Sequence, residues 1–168
     1  TGNPRLPVDR SFTITGFGAV VTGTLADGSL KVGQEVEILP SGRKARIRSL
    51  QVHETSHDQV GPGTRLAVNL NGIDHSDIAR GDLLTSVDWL QLSTAFDATF
   101  RVIPDAPRPI RHNHKVTLFV GTREIPATLR VLEGDQITPG SSGWVQMRTS
   151  ERVPVVRGDS FVVRDTEN

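Results

Sequence analysis

Polar and apolar residues alternate one by one along much of this chain, a period that suits β-strands and leaves little room for helices. Ser11-Phe12-Thr13-Ile14-Thr15, Arg46-Ile47-Arg48-Ser49-Leu50-Gln51-Val52 and Thr64-Arg65-Leu66-Ala67-Val68-Asn69-Leu70 each read as a strand with one wet and one buried face. Turn signals punctuate these runs: Asp27-Gly28, Pro40-Ser41-Gly42, Gly61-Pro62-Gly63, Asn71-Gly72, Glu133-Gly134-Asp135 and Pro139-Gly140. The 16 Gly and 10 Pro among 168 residues suit many short strands joined by many turns. An all-β sandwich or barrel is expected, with one helical turn at Ser76-Asp77-Ile78-Ala79.

A repeat divides the chain. Pro62-Gly63 recurs as Pro139-Gly140 and Arg80-Gly81-Asp82 as Arg157-Gly158-Asp159, both at an offset of 77 residues. At the same offset Ala67-Val68-Asn69-Leu70 aligns with Trp144-Val145-Gln146-Met147. Two β-domains are therefore expected, residues 1–88 and 89–168, each small enough to pack on the other for support. The paired Arg-Gly-Asp triplets read as turn chemistry, with Gly allowing the turn and Asp bonding local backbone N–H groups.

Charge is balanced, 19 Lys and Arg against 19 Asp and Glu, which argues against a generic nucleic-acid binder but leaves local basic patches open. With no Cys, disulfides and Cys-based metal sites are excluded. The longest apolar run is far too short for a membrane helix and no secretory signal opens the chain, so a cytoplasmic protein without membrane contact is expected. The Met-less start, Thr1-Gly2-Asn3-Pro4, reads as an excised piece.

Leu6-Pro7-Val8-Asp9-Arg10-Ser11-Phe12, Gly16-Phe17-Gly18-Ala19-Val20-Val21-Thr22-Gly23-Thr24 and Leu30-Lys31-Val32-Gly33-Gln34 resemble the second domain of translational GTPases related to elongation factor Tu. Ala67-Val68-Asn69-Leu70-Asn71-Gly72-Ile73 and Ile78-Ala79-Arg80-Gly81-Asp82 extend the likeness. The Asp9-Arg10 opening most resembles the selenocysteine-specific elongation factors. Arg108-Pro109-Ile110, Phe119-Val120-Gly121-Thr122 and the run from Val153 to Phe161 resemble their third domain. The resemblance implies two consecutive small β-barrels that hold selenocysteinyl-tRNA for delivery to the ribosome. The sequence contains no G-x-x-x-x-G-K-[ST] phosphate loop. GTP and Mg would thus belong to a separate GTPase domain, with no cofactor and no catalysis expected in this chain. Asp58-Gln59-Val60-Gly61 matches the D-x-x-G letters of a GTPase switch only by chance. The resemblance also implies further C-terminal modules that bind a messenger hairpin.

By the same resemblance Asp9, Arg10 and Arg65 line a pocket for the selenocysteinyl group. A selenol is far more acidic than a serine hydroxyl, so guanidiniums would attract its anion and pass over neutral serine. The bland alternative is an Asp-Arg pair and a surface Arg of little energetic weight. Neighbours on a regular strand point to opposite faces, so Asp9 and Arg10 share a pocket only where the strand is irregular. Two basic clusters, Lys44, Arg46 and Arg48 on one strand and Arg108, Arg111, His112, His114 and Lys115 further on, are candidates for tRNA phosphates. An ordinary solvated strand face and an exposed loop are the alternatives. Two His at His112-x-His114 fall short of a zinc ligand set. Gly16-x-Gly18 signals a hairpin, and Gly23 within a run of strand formers signals a bulge or a close backbone approach. The other readings are a different translational GTPase with a general tRNA or ribosome role, and a structural β-module without RNA contact.

Overall fold

The computed structural model describes residues 2–15 and 18–166, and among them strands dominate. The chain divides into two compact units, Thr1–Gln91 together with Gly121–Arg123, and Leu92–Val120 together with Glu124–Asn168.

The first unit holds β1 (Arg5–Ile14), β2 (Gly18–Thr24), β3 (Leu30–Lys31), β4 (Glu35–Leu39), β5 (Arg43–Val52), β6 (Thr55–His57), β7 (Gln59–Val60), β8 (Arg65–Asn71) and β9 (Leu83–Ser86). Their order is β4-β9-β1-β2-β8-β5-β6, and β4 also pairs with β5, so six strands close into a barrel. The alternation explains the core: Ala45, Ile47 and Leu50 of β5 turn in while Lys44, Arg46 and Arg48 stay wet. Leu6, Val8, Val21, Leu30, Val36, Ile38, Val68 and Leu84 complete the interior with no exposed surface. Each such side chain contributes about 1.5–3 kcal/mol by leaving water.

Gly23 fulfils the close-approach reading. A Cβ there would lie 2.2 Å from the Pro7 carbonyl oxygen and 3.1 Å from Leu6 Cγ, so only glycine lets β2 lie against β1 at this point. Gly18 carries the positive φ of 79° expected of the hairpin, while Gly16 and Phe17 lie outside the described residues. The helical turn falls one residue earlier than its sequence reading, as a 3-10 turn at His75–Asp77. Asp74 caps it by accepting from Ser76 N at 2.8 Å, and Ile78 ends it by turning extended into the core.

The second unit holds β10 (Ser93–Arg101), β11 (Ile110–Arg111), β12 (His114–Val120), β13 (Arg123–Val131), β14 (Gln136–Ile137), β15 (Ser142–Val153) and β16 (Phe161–Asp165). Five of these form a curved sheet, β10-β15-β13-β12-β16, a half-barrel around Val116, Leu118, Leu129, Val145 and Met147.

The two Arg-Gly-Asp triplets build the same turn. Asp82 Oδ2 accepts from Ala79 N at 2.9 Å, and Asp159 Oδ2 accepts from Val156 N at 3.0 Å. The glycines between have φ of 94° and 98°. The triplets are local turn closures, each leading into the last strand of its unit.

Candidate functional site

A defect in β1 creates the site. Val8 pairs with Gly23 and Arg10 with Thr22, so Asp9 is an extra residue, a β-bulge. Regular alternation would send Asp9 and Arg10 to opposite faces. The bulge resets the phase: Leu6 and Val8 point inward before it, Ser11 lies opposite the core residue Val21 after it, and Asp9 and Arg10 both turn outward.

Across β2, the register continues the outer face. Thr24 lies beside Arg65, Thr22 beside Ala67, and Val20 beside Asn69. Arg65 therefore shares the face of Asp9 and Arg10. Its guanidinium Nη1 donates to Asp9 Oδ2, making an ion pair whose side chains are 59% and 26% exposed. Arg10 has no side-chain partner among the described residues. All three residues are thus brought to one face, two of them bonded and one cation left over. In formal charge the trio is +1, and the surplus sits on the exposed Arg10.

One register row further along lies a slot of about 220 Å³, lined by Ile14, Val20, Ser49, Gln51, Ala67 and Asn69. Two polar atoms of this face are buried without a partner, Thr22 Oγ1 and Asn69 Oδ1. Phe12 and Ile14 are 38% and 44% exposed at its edge. The slot escaped the sequence reading. Its signal was the doublet Val20-Val21, where consecutive apolar residues supply both faces of one strand: Val21 fills the core and Val20 floors the slot.

The first basic cluster is partly neutralised. Lys44 Nζ lies 3.1 Å from Asp88 Oδ2, and Arg46 Nη2 lies 2.9 Å from Glu35 Oε1. All three cations, Arg48 included, are exposed on one strand face.

The second cluster is split by the fold. Asp165 of β16 gathers two of its members: Arg108 Nε and Nη2 each lie 2.9 Å from Oδ2, and the buried His114 Nε2 lies 2.8 Å from Oδ1. His112 Nδ1 donates to the Val131 carbonyl at 2.9 Å. Arg111 and Lys115 stay exposed. Lys115 instead joins Arg130 and Arg148 along an outward groove of about 740 Å³, with Thr117, Thr128 and Ser150 between the cations. None of the three cations has a side-chain partner among the described residues. Arg130 and Arg148 are neighbours across the β13–β15 ladder, where Thr128 pairs with Arg148 and Arg130 with Gln146. Sequence spacing could not bring them together with Lys115.

His112 and His114 hold carbonyl and carboxylate partners, and the described residues contain no group of three or more His, Cys, Asp or Glu placed to hold a metal. Val60 of the D-x-x-G match is 5% exposed in the first core, a structural residue. Thr13 Oγ1 lies 2.6 Å from His75 Nδ1, and Asp74 Oδ1 lies 3.1 Å from the same nitrogen. One nitrogen serving both partners cannot relay a proton between them, so this trio is no nucleophile-base-acid array. Among the described residues no helix is long and apolar enough to cross a membrane.

Comparison with known proteins agrees with this architecture. Residues 18–85 match the family described as elongation factor Tu domain 2. Over 160 residues, 95% of the chain, it is 41% identical to the selenocysteine-specific elongation factor of Desulfomicrobium baculatum, covering 25% of that protein. It is 27% identical over 172 residues to the selenocysteine-specific elongation factor of Methanocaldococcus jannaschii, 95% of the chain and 37% of the relative. Elongation factor 1-alpha of Pyrobaculum islandicum is 35% identical over 141 residues, 79% of the chain and 32% of the relative. The chain spans about a quarter to a third of the length of these relatives. Residues 18–85 are thus similar to an elongation factor Tu domain 2, and the chain is similar over nearly its whole length to a part of selenocysteine-specific elongation factors.

Proposed function

We propose that the chain is the tRNA-holding part of a selenocysteine-specific elongation factor, and that the outer face of its first barrel receives the selenocysteinyl end of the tRNA. The observation that carries this reading is the β1 bulge, which turns Arg10, without a side-chain partner among the described residues, to the same face as the Asp9–Arg65 pair. Asp9 holds Arg65 in place, and the two guanidiniums together offer a cationic cradle for a selenolate. A unit-charge contact near 4 Å contributes about 1 kcal/mol in water and about 4 kcal/mol at a partly buried site. Since each 1.4 kcal/mol is about a factor of ten, tens- to hundreds-fold preference over neutral serine is within reach.

The adjoining slot suits the nucleoside that carries the ester. Its Val20 and Ile14 offer apolar contact to a planar base, and Asn69 Oδ1 is a buried acceptor awaiting a donor. In the second unit, the groove of Lys115, Arg130 and Arg148 suits phosphates, with hydroxyls between cations as in sequence-blind backbone binding. Catalysis would stay elsewhere: GTP hydrolysis belongs to a separate domain, and ribosome and messenger-hairpin contacts to the assembled factor.

The reading is tested by the affinity of the full-length protein for selenocysteinyl-, seryl- and uncharged tRNA at one salt concentration. Tighter binding of the selenocysteinyl form supports it. Equal affinity for the selenocysteinyl and seryl forms returns the chain to a general tRNA-binding or ribosome-binding role.

A further inference from the structure

The direction in which β1 enters its bulge is set by one peptide group, the one that joins Val8 to Asp9. β1 pairs with β9 only through Arg5, Leu6 and Pro7, so on that side the ladder ends just before the bulge. Val8 carries the last bonds there. Its N–H donates to the Asp82 carbonyl at 2.8 Å, and its carbonyl accepts from Gly81 N at 3.0 Å. A peptide group is planar, so fixing the Val8 oxygen fixes the plane, and with it ψ of Val8 and φ of Asp9. Those two angles aim Asp9 and Arg10.

A second donor reaches the same oxygen. The first unit includes Gly121–Arg123, three residues from far along the chain. Thr122 Oγ1 donates to the Val8 carbonyl at 2.8 Å, across 114 sequence positions. The residues beside it hold what flanks that bond. Arg123 Nη1 donates to Asp82 Oδ1 at 3.3 Å, with the side chains 14% and 9% exposed. Gly121 lies so near Pro7 that a Cβ would stand 3.2 Å from Pro7 Cβ. Pro7, Val8 and Asp82 are thus each met by one of three consecutive residues.

The Arg-Gly-Asp turn does not itself require these contacts. The second triplet closes the same turn, with Asp159 Oδ2 on Val156 N, and a Cβ on its Gly158 would meet nothing within 4 Å. A Cβ on Gly81 would instead meet Arg123 Cα at 3.1 Å. What Thr122 adds therefore falls on the Val8–Asp9 peptide. A carbonyl oxygen has two lone pairs, and a donor on each leaves the plane less room to tilt than one donor does.

We propose that Thr122 is a positioning residue for the cationic cradle: its hydroxyl locks the plane of the Val8–Asp9 peptide and so holds Asp9 and Arg10 at the angle that presents them on one face. The inference rests on the selenocysteinyl reading for its ligand, whereas the bond to Val8 does not depend on it.

Two substitutions in the full-length protein test this. Thr122→Val keeps the shape of the side chain and removes the hydroxyl, while Thr122→Ser keeps the hydroxyl. Thr122→Val should lower the ratio of selenocysteinyl- to seryl-tRNA affinity about threefold or more, with seryl-tRNA affinity within about twofold of wild type. In the same variant, without tRNA, the Asp9 and Arg10 amides, read by mass spectrometry in a peptide spanning Leu6 to Phe12, should exchange about threefold or more faster. Thr122→Ser should return both quantities to within about twofold of wild type. Unchanged exchange in Thr122→Val overturns the positioning role, and so does fast exchange that serine fails to slow. A wild-type preference for selenocysteinyl-tRNA that survives intact in Thr122→Val overturns the role and leaves the selenocysteinyl reading standing. Equal affinities already in wild type overturn that reading, and the cradle with it.

Discussion

The Asp9 carboxylate reaches over strand β2 to the Arg65 guanidinium, joining residues 56 positions apart on one barrel face. Both side chains are solvent-accessible, so the pair contributes under about 1 kcal/mol to folding. Its consequence is geometric, because it ties Arg65 to Asp9 on the face that Arg10 shares. Asp9→Asn is expected to leave the unfolding free energy within about 1 kcal/mol of wild type in urea melts. A loss above about 2 kcal/mol would make the pair a structural element rather than a positioning one.

Gly23 is the backbone condition for that arrangement. With Pro7 O at 2.2 Å from any Cβ, Gly23→Ala must push β1 from β2 next to the bulge. A destabilisation of about 2 kcal/mol or more is expected in the same melts. Gly61→Ala, where nothing lies within 4 Å, serves as the comparison and should cost less. Equal costs would mean that β1 adjusts freely.

The alternation of Arg46 to Val52 and Thr64 to Leu70 made the strands legible, and the 77-residue repeat announced the paired Arg-Gly-Asp turns. The bulge was not legible, because its register shift depends on which residue of β2 faces Asp9. Asp165 was hidden in the same way: it lies 57 residues from Arg108, and no local pattern foretells that it gathers Arg108 and His114. Arg130 and Arg148 look like ordinary wet-face residues until the β13–β15 ladder sets them side by side.

The groove in the second unit gives a salt-dependence test. Replacing Lys115, Arg130 or Arg148 by Ala in the full-length protein should weaken tRNA binding regardless of the amino acid carried. Each substitution should reduce the slope of log K against log salt by about one contact. Arg164→Ala removes a cation already held by Glu124 at 2.9 Å and should leave the slope unchanged. Slopes unmoved in all three groove variants would remove the groove from the RNA-binding surface.

Asp74 provides a pH test of the 3-10 cap. Its carboxyl is held below the ordinary range, first by the Ser76 backbone N–H, then by the Ser76 hydroxyl, with His75 assisting. A depressed folded-state pKa favours the folded protein above the ordinary aspartate range, and that contribution is lost as pH falls through the folded value. Asp74→Ala should therefore be less stable than wild type at neutral pH, with the gap closing in acid. A gap independent of pH would place the effect outside the carboxylate.

The most direct test of the account is the ratio of selenocysteinyl- to seryl-tRNA affinity in the full-length protein, measured for wild type and Arg10→Ala at neutral pH and constant salt. Arg10 has no side-chain partner among the described residues and is the available cation of the proposed cradle, so its loss is expected to cut the ratio by about tenfold or more while seryl-tRNA affinity changes little. A ratio that stays constant while both affinities fall together would contradict selenolate recognition by this face.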